Sequence, residues 1–178
     1  RETSLILKNP SIYNKMEKEE TACATLSDLI DTKKEAEAEC LTDIDDSVFI
    51  IGCIKDTDHF NWIFRDEEQP YYNIRQGHRH GALLRTPEVK HANYAIMYNV
   101  DDKEHFLVYK LKMQHYIWDE DRMSASGYKK PTGKYYIYLL DKQMNTDKLD
   151  LSKFINCRIS ESDKGQPICV SGEEIRSL

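Results

Sequence analysis

The feature that most constrains the fold is a change in hydrophobic spacing at Ser47. Beyond that residue the chain carries short runs of aliphatic, β-branched and aromatic residues separated by turn-forming residues, which is typical of strands. We predict strands at residues 48–54, 60–64, 71–75, 94–100, 105–113, 135–140 and 168–170. This order predicts an α+β fold with a mostly antiparallel, curved or barrel-like sheet and two or three short helices.

Residues 1–46 have a helical pattern instead. Asn9-Pro10 can begin a helix, and Thr25-Leu26-Ser27 can begin another, so we predict one long or two successive helices over residues 10–40. Residues 1–46 hold 6 Lys/Arg and 12 Asp/Glu, a net charge of −6, whereas residues 47–178 hold 19 of each. We therefore divide the chain into an acidic helical extension, 1–46, and a β-rich α+β domain, 47–178.

Short helices are predicted between the strands. Asp119 is a capping residue, and Gly127 can end that helix in the left-handed conformation, with Tyr128 folding back on it. Thr86-Pro87-Glu88 has the residue order of a helix start. Residues 149–155 can form a third short helix.

A basic segment, Arg75-Gln-Gly-His-Arg-His-Gly-Ala-Leu-Leu-Arg85, gathers three arginines and two histidines without one acid. From Arg75 to Lys90 there are four positive residues against Glu88, a local charge of +3. Arginine donates bidentate hydrogen bonds to phosphate, and the glycines let a ligand approach the backbone closely. The alternative is a surface loop whose arginines pair with carboxylates elsewhere. The absence of acids inside the segment favours an anion contact.

The predicted nucleic-acid-binding residues combine positive charge, imidazole groups and aromatic rings. They are Arg75, His78, Arg79, His80, Arg85, Tyr72 and Trp118. The arginines would contact phosphates or base edges, the histidines would support them, and Tyr72 or Trp118 would stack on a base. We favour DNA over RNA as the partner and predict no metal or other cofactor.

An enzymatic alternative uses the same part of the chain. His78 and His80 alternate along an extended backbone and would point the same way, as metal ligands on a strand do. Glu88-Val-Lys90 matches half of the acid-x-Lys signature of restriction-type nucleases, although it follows a helix start rather than lying on a buried strand. A divalent-metal nuclease or phosphoesterase using His78, His80 and Glu88 is therefore the alternative hypothesis.

Other classes of protein are disfavoured by what the sequence lacks. The apolar runs are only a few residues long, far short of the roughly 20 that span a bilayer, and no signal peptide is evident. The five cysteines are widely spaced without a Cys-x-x-Cys pair, which predicts free thiols in the cytoplasm. No Walker loop, nucleophile elbow or dinucleotide fingerprint occurs. Because the chain begins at Arg1, we expect it to be a fragment of a larger protein.

The strand rhythm of residues 59–64, 71–75, 94–98, 106–111 and 135–140 resembles that of PUA-like modules, including the EVE type. The resemblance covers about residues 47–142 and rests on no family-specific motif, so no pocket residues are carried over from it. It implies a compact curved sheet that binds RNA or DNA. Some such modules hold a modified or flipped base in an aromatic pocket, and some are targeting domains of restriction systems.

Our leading hypothesis is a non-catalytic nucleic-acid-binding domain that reads a target site or a modified base. It would belong to a larger defence, restriction or processing protein, with a nuclease or helicase as fused or associated partner. A further alternative is a protein-interaction module, in which the acidic residues 1–46 bind a partner or fold back over the basic segment and mask it. Deleting residues 1–46 distinguishes these: tighter nucleic-acid binding indicates masking, and loss of an oligomer indicates assembly.

Overall fold

The computed structural model describes residues 25–34, 39–41, 44–76, 91–99, 101–150 and 167–177. These residues form four helices and seven strands. In chain order they are α1 (Leu26–Lys34), β1 (Glu39–Cys40), β2 (Val48–Ile54), α2 (Thr57–Ile63), β3 (Tyr71–Arg75), β4 (Tyr94–Asn99), β5 (Asp102–Trp118), α3 (Glu120–Ala125), β6 (Tyr135–Asn145), β7 (Ile168–Ser171) and α4 (Gly172–Arg176).

The strands form one mixed sheet in the order β1-β6-β5-β4-β2-β7, with β3 also paired to β6. The β2–β4 and β1–β6 pairs are parallel, and the other pairs among the described strands are antiparallel. The sheet is not closed into a barrel. This architecture confirms the predicted α+β class with a curved sheet.

Strand β2 is buried on both faces, because its sequence is apolar without interruption. Phe49 and Ile51 belong to one hydrophobic cluster, and Ile50 and Ile54 belong to the cluster on the opposite face. Each of these side chains is at most 1% exposed, and burying one of them stabilises the fold by about 1.5–3 kcal/mol. The sheet therefore carries a core on both sides, and β2 lies between its neighbours β4 and β7.

The prediction of a strand at residues 60–64 is wrong, because these residues belong to helix α2 and the turn that ends it. Asp56 caps the helix: its carboxylate accepts a hydrogen bond from the His59 backbone N–H at 2.7 Å. Phe60, Ile63 and Phe64 then fall at spacings of three and four residues and are buried together. The aromatic content resembles that of a strand, but the cap and the spacing are helical.

Helix α3 has the predicted limits. The Asp119 carboxylate accepts from the Arg122 N–H at 2.9 Å, and Gly127 follows the helix with a φ of 85°. The Tyr128 N–H returns to the Met123 carbonyl at 3.2 Å. This local sequence fixes the loop after α3, which forms one wall of the site described below.

The helix predicted at Thr25 is confirmed by α1, and the final strand is confirmed by β7. Residues 1–24, the predicted helix start at Thr86 and residues 151–155 lie outside the described residues. The division at residue 46 stays a prediction, although α1 and β1, which precede it, contact β5 and β6. Within the described ranges, every helix is too short or too polar to cross a membrane.

Candidate functional site

Three of the predicted binding residues lie in the described part of the chain. Arg75 is exposed at the end of β3, Tyr72 is only 3% exposed, and Trp118 is half-buried against the core. The others, and the nuclease alternative's glutamate, lie outside the described residues: His78, Arg79, His80, Arg85 and Glu88. Their roles stay predictions.

A cleft opens beside Arg75, between helix α2 and the loop that follows α3. Its larger part has a volume of about 580 Å³ and its smaller part about 260 Å³. The two parts are adjacent, since Cys53, His59, Tyr128 and Lys129 line both of them. Arg75 lines the smaller part, so the cleft begins where the basic segment of the sequence begins.

The floor of the cleft holds a chain of hydrogen-bonded polar side chains. His59 Nε2 lies 2.9 Å from Asn73 Oδ1, so that nitrogen donates and the imidazole carries its proton there. Asn73 is 7% exposed, and its side-chain hydrogen bonding also lowers the pKa of Tyr128. His59 lies on α2 and Asn73 lies on β3, which follows α2 in the chain. The packing of α2 beside β3 brings the two side chains together.

Burial keeps the floor uncharged. It lowers the pKa of His59, against the opposing effects of the Asn73 hydrogen bond and the Asp56 carboxylate. Burial also raises the pKa of Tyr128, against the opposing effects of Asn73 and Arg75. At neutral pH the floor therefore presents a neutral imidazole, an amide and a phenol.

Aromatic rings form an edge-to-face row, of which Trp62, Tyr128 and Tyr135 line the cleft. Trp62 lies 4.9 Å from Tyr128 and 5.0 Å from Tyr71, with interplanar angles of 73° and 80°. Tyr135 continues the row from Tyr128 at 5.5 Å, and Trp118 continues it from Tyr71 at 5.2 Å. Such contacts are favourable for aromatic rings and hold them in fixed orientations. Tyr128 is the half-buried member of the row that lines the cleft itself.

The rim of the cleft is positively charged. Five cationic and two acidic side chains line its two parts, a formal charge of +3: Lys55, Arg65, Arg75, Lys129, Lys130, Asp56 and Asp58. The Arg65 guanidinium lies 4.4 Å from the centre of the Tyr71 ring, which holds it beside the aromatic row. A protein with a net charge of −6 therefore has a cationic cleft.

Among the described residues, the arrangement offers groups suited to binding an anion. In the part of the chain that the structure describes, no group of three His, Cys, Asp or Glu side chains is placed to hold a metal ion. The cleft instead combines positive charge at its edge with neutral donors, acceptors and aromatic rings within.

His59, Asn73 and Lys129 were not among the predicted binding residues. Two signals were present: Asn73 is a polar residue inside an apolar strand, and Lys129 directly follows the helix-ending Gly127 and Tyr128. Neither signal identifies a site without the tertiary contacts that bring α2, β3 and the loop together.

No protein-family model, curated protein or solved structure matches this chain. The resemblance to PUA-like modules therefore stays a prediction from strand rhythm. Function has to be argued from the chemistry of the cleft.

Proposed function

We propose that this chain is a non-catalytic nucleic-acid-binding domain whose cleft receives one unpaired base. The observation that carries the proposal is the combination of a cationic rim with an uncharged, aromatic floor. A nucleotide has the complementary chemistry, since an anionic phosphate is joined to a neutral heteroaromatic ring with donors and acceptors on its edge. We expect DNA to be preferred over RNA.

The rim supports contacts to the phosphates. Arg75, Lys129 and Lys130 are exposed, so their charged groups can reach a backbone that runs along the mouth of the cleft. Arginine suits this contact because its planar guanidinium donates two parallel hydrogen bonds to one phosphate. These contacts set affinity and its salt dependence rather than sequence preference.

The floor supports recognition of the base. A neutral His59, held by Asn73, can hydrogen-bond with a base edge without the cost of burying a charge. Stacking was predicted for Tyr72, but that side chain is 3% exposed. In this proposal the half-buried Tyr128 ring takes that role.

The test compares Tyr128→Ala with Tyr116→Ala, a control tyrosine that is 41% exposed on β5 and does not line the cleft. Fluorescence anisotropy would measure binding to a duplex with one unpaired base and to the fully paired duplex. Loss of a stacked base should weaken binding of the unpaired-base duplex about tenfold in Tyr128→Ala, with Tyr116→Ala unchanged. Equal effects of the two variants, or no binding by the wild type, would refute the proposal.

This function fits a domain that selects a site for another activity. A larger cytoplasmic defence, restriction or processing protein, with a nuclease or helicase as fused or associated partner, stays our expectation for its setting. The metal-dependent nuclease alternative depends on His78, His80 and Glu88 and is tested separately, by metal-dependent cleavage that Glu88→Gln abolishes.

A further inference from the structure

An ion pair joins the two walls of the cleft at its mouth. The Lys129 ammonium, on the loop after α3, contacts the Asp58 carboxylate on helix α2. Both residues line the larger part of the cleft. Their side chains are 74% and 65% exposed, so the pair stands in solvent at the entrance rather than in the core.

The loop that carries Lys129 is anchored on both sides. Before it, Gly127 has a φ of 85° and the Tyr128 N–H bonds the Met123 carbonyl at 3.2 Å. After it, the Gly133 N–H donates to the Glu120 carboxylate. Lys129 is therefore presented at the entrance by a fixed backbone, one residue from the ring that lines the cleft.

The two acids of α2 have different tasks. Asp56 is the N-cap, and its carboxylate is bonded to the His59 N–H at 2.7 Å. Asp58 lies in the first turn, where an acid is favourable to the helix dipole but is not needed to start the helix. Its described contact is with Lys129, whose pKa is raised first by that hydrogen bond and then by the Asp58 charge.

We propose that Lys129 is a phosphate-contacting residue at the entrance of the cleft, and that Asp58 occupies it until a nucleic-acid phosphate displaces the carboxylate. This inference rests on the proposed function, and it adds a regulating contact to that site. Carboxylate and phosphate oxygens both accept hydrogen bonds from an ammonium group, and an exposed ion pair is weak enough to exchange. Asp58 thereby lowers the affinity for any polyanion and favours ligands that also fill the floor.

The test uses Asp58→Asn, Lys129→Ala and the double variant, with Asp147→Asn as the control acid on the turn after β6. Binding of a fluorescent oligonucleotide would be measured by anisotropy at a fixed salt concentration. Asp58→Asn should bind about two- to fivefold more tightly, as expected for release of an exposed ion pair. Lys129→Ala should bind more weakly, and Asp58→Asn should have little further effect in that background.

The pattern across the four variants decides the inference. If Asp58→Asn leaves affinity unchanged, or raises it equally in the Lys129→Ala background, the contact is not a competitor for phosphate and the inference fails. If no variant binds any oligonucleotide, the proposed function fails first. The phosphate contact of Lys129 is then tested separately, by a titration with inorganic pyrophosphate followed by NMR of the lysine side chains. Chemical-shift changes at Lys129 that are larger in Asp58→Asn than in the wild type would support the contact. Their absence would overturn it.

Discussion

Two histidines in this molecule have opposite surroundings. His59, in the cleft, is bonded to a neutral amide, and burial lowers its pKa. His105, where helix α1 meets β5, points Nε2 at the Asp31 carboxylate, 2.8 Å away, and Nδ1 at Asp102. The hydrogen bond to Asp102 raises the pKa of His105, and Asp31 raises it further. Burial disfavours the charged form of His59, whereas two carboxylates favour the charged form of His105.

The difference distinguishes a binding region from a contact that stabilises the fold. We call this contact, around His105 between α1 and β5, the joint. At the joint, Ser27 also bonds Asp102, at 3.3 Å, and Asn99 donates to Ser27 at 3.3 Å, so the polar groups are committed to each other across α1 and β5. In the cleft, the polar groups are paired at the floor but open towards a cavity of about 580 Å³. Helix α1, in the described part of the acidic N-terminal segment, thus packs on β5. That residues 1–46 mask the basic segment stays a prediction.

The largest expected effect on stability comes from a substitution at the cleft, Gly52→Ala. Adding a Cβ at Gly52 would place it 1.6 Å from Tyr72 Oη, and this severe overlap should make Gly52→Ala destabilise the fold by about 3 kcal/mol or more through overpacking. Urea denaturation measures the loss of stability. In the folded variant the pKa of His105 should be the same as in the wild type. Wild-type stability in Gly52→Ala would contradict the close packing of Gly52 against Tyr72, which lines the smaller part of the cleft.

A smaller effect is expected from Asn73→Ala, which leaves His59 Nε2 and the Tyr128 hydroxyl without their shared partner. Losing a buried hydrogen-bond partner costs about 1–3 kcal/mol. Because the Asn73 hydrogen bond raises the pKa of His59, that pKa should fall further in the variant. Imidazole NMR across a pH series checks this, and an unchanged His59 titration would show that Asn73 does not hold the ring.

The smallest effect concerns pH and sharpens the contrast between the two histidines. The folded-state pKa of His105 is raised, so its stabilising contribution is complete below the unfolded value of about 6.5 and is lost as pH rises through the folded pKa. His59 has a lowered folded pKa, so its contribution is lost as pH falls below that same unfolded value.

His105→Asn should therefore lower the Tm under mildly acidic conditions and have a shrinking effect as pH rises. Thermal melts of the wild type and the variant over a pH series measure this difference. A Tm difference that is constant with pH would mean that His105 is not charged at the joint.

Sequence patterns predicted the local structure well where one signal dominates. Strand β3 has the predicted limits, and the Asp119 cap and left-handed Gly127 lie where the residue types require them. The failure at residues 60–64 arose because aromatic content favours strand, whereas the Asp56 cap and the three- and four-residue spacing favour helix. The parallel pairing of β2 with β4 depends on chain crossover, which local pattern does not determine.

The site was less predictable because its contacts join distant parts of the chain. Arg75 and Trp118 were predicted from residue type alone. Arg75 lines the cleft, and Trp118 lies at the end of the aromatic row. His59 and Asn73 are 14 residues apart, and Lys129 and Asp58 are 71 apart. Only the folded sheet brings these pairs together, so no spacing rule could have found them.

The central claim is that the cleft rim binds nucleic-acid phosphate, and the salt dependence of binding tests it most directly. We would compare the wild type, the double variant Arg75→Ala/Lys129→Ala, and Lys148→Ala, an exposed lysine beyond the opposite end of β6. With duplex DNA, the slope of log K against log salt should become shallower by about 1.8 in the double variant, as expected for two lost phosphate contacts, and should not change in Lys148→Ala. The same slope and affinity in all three proteins would contradict a phosphate-binding cleft.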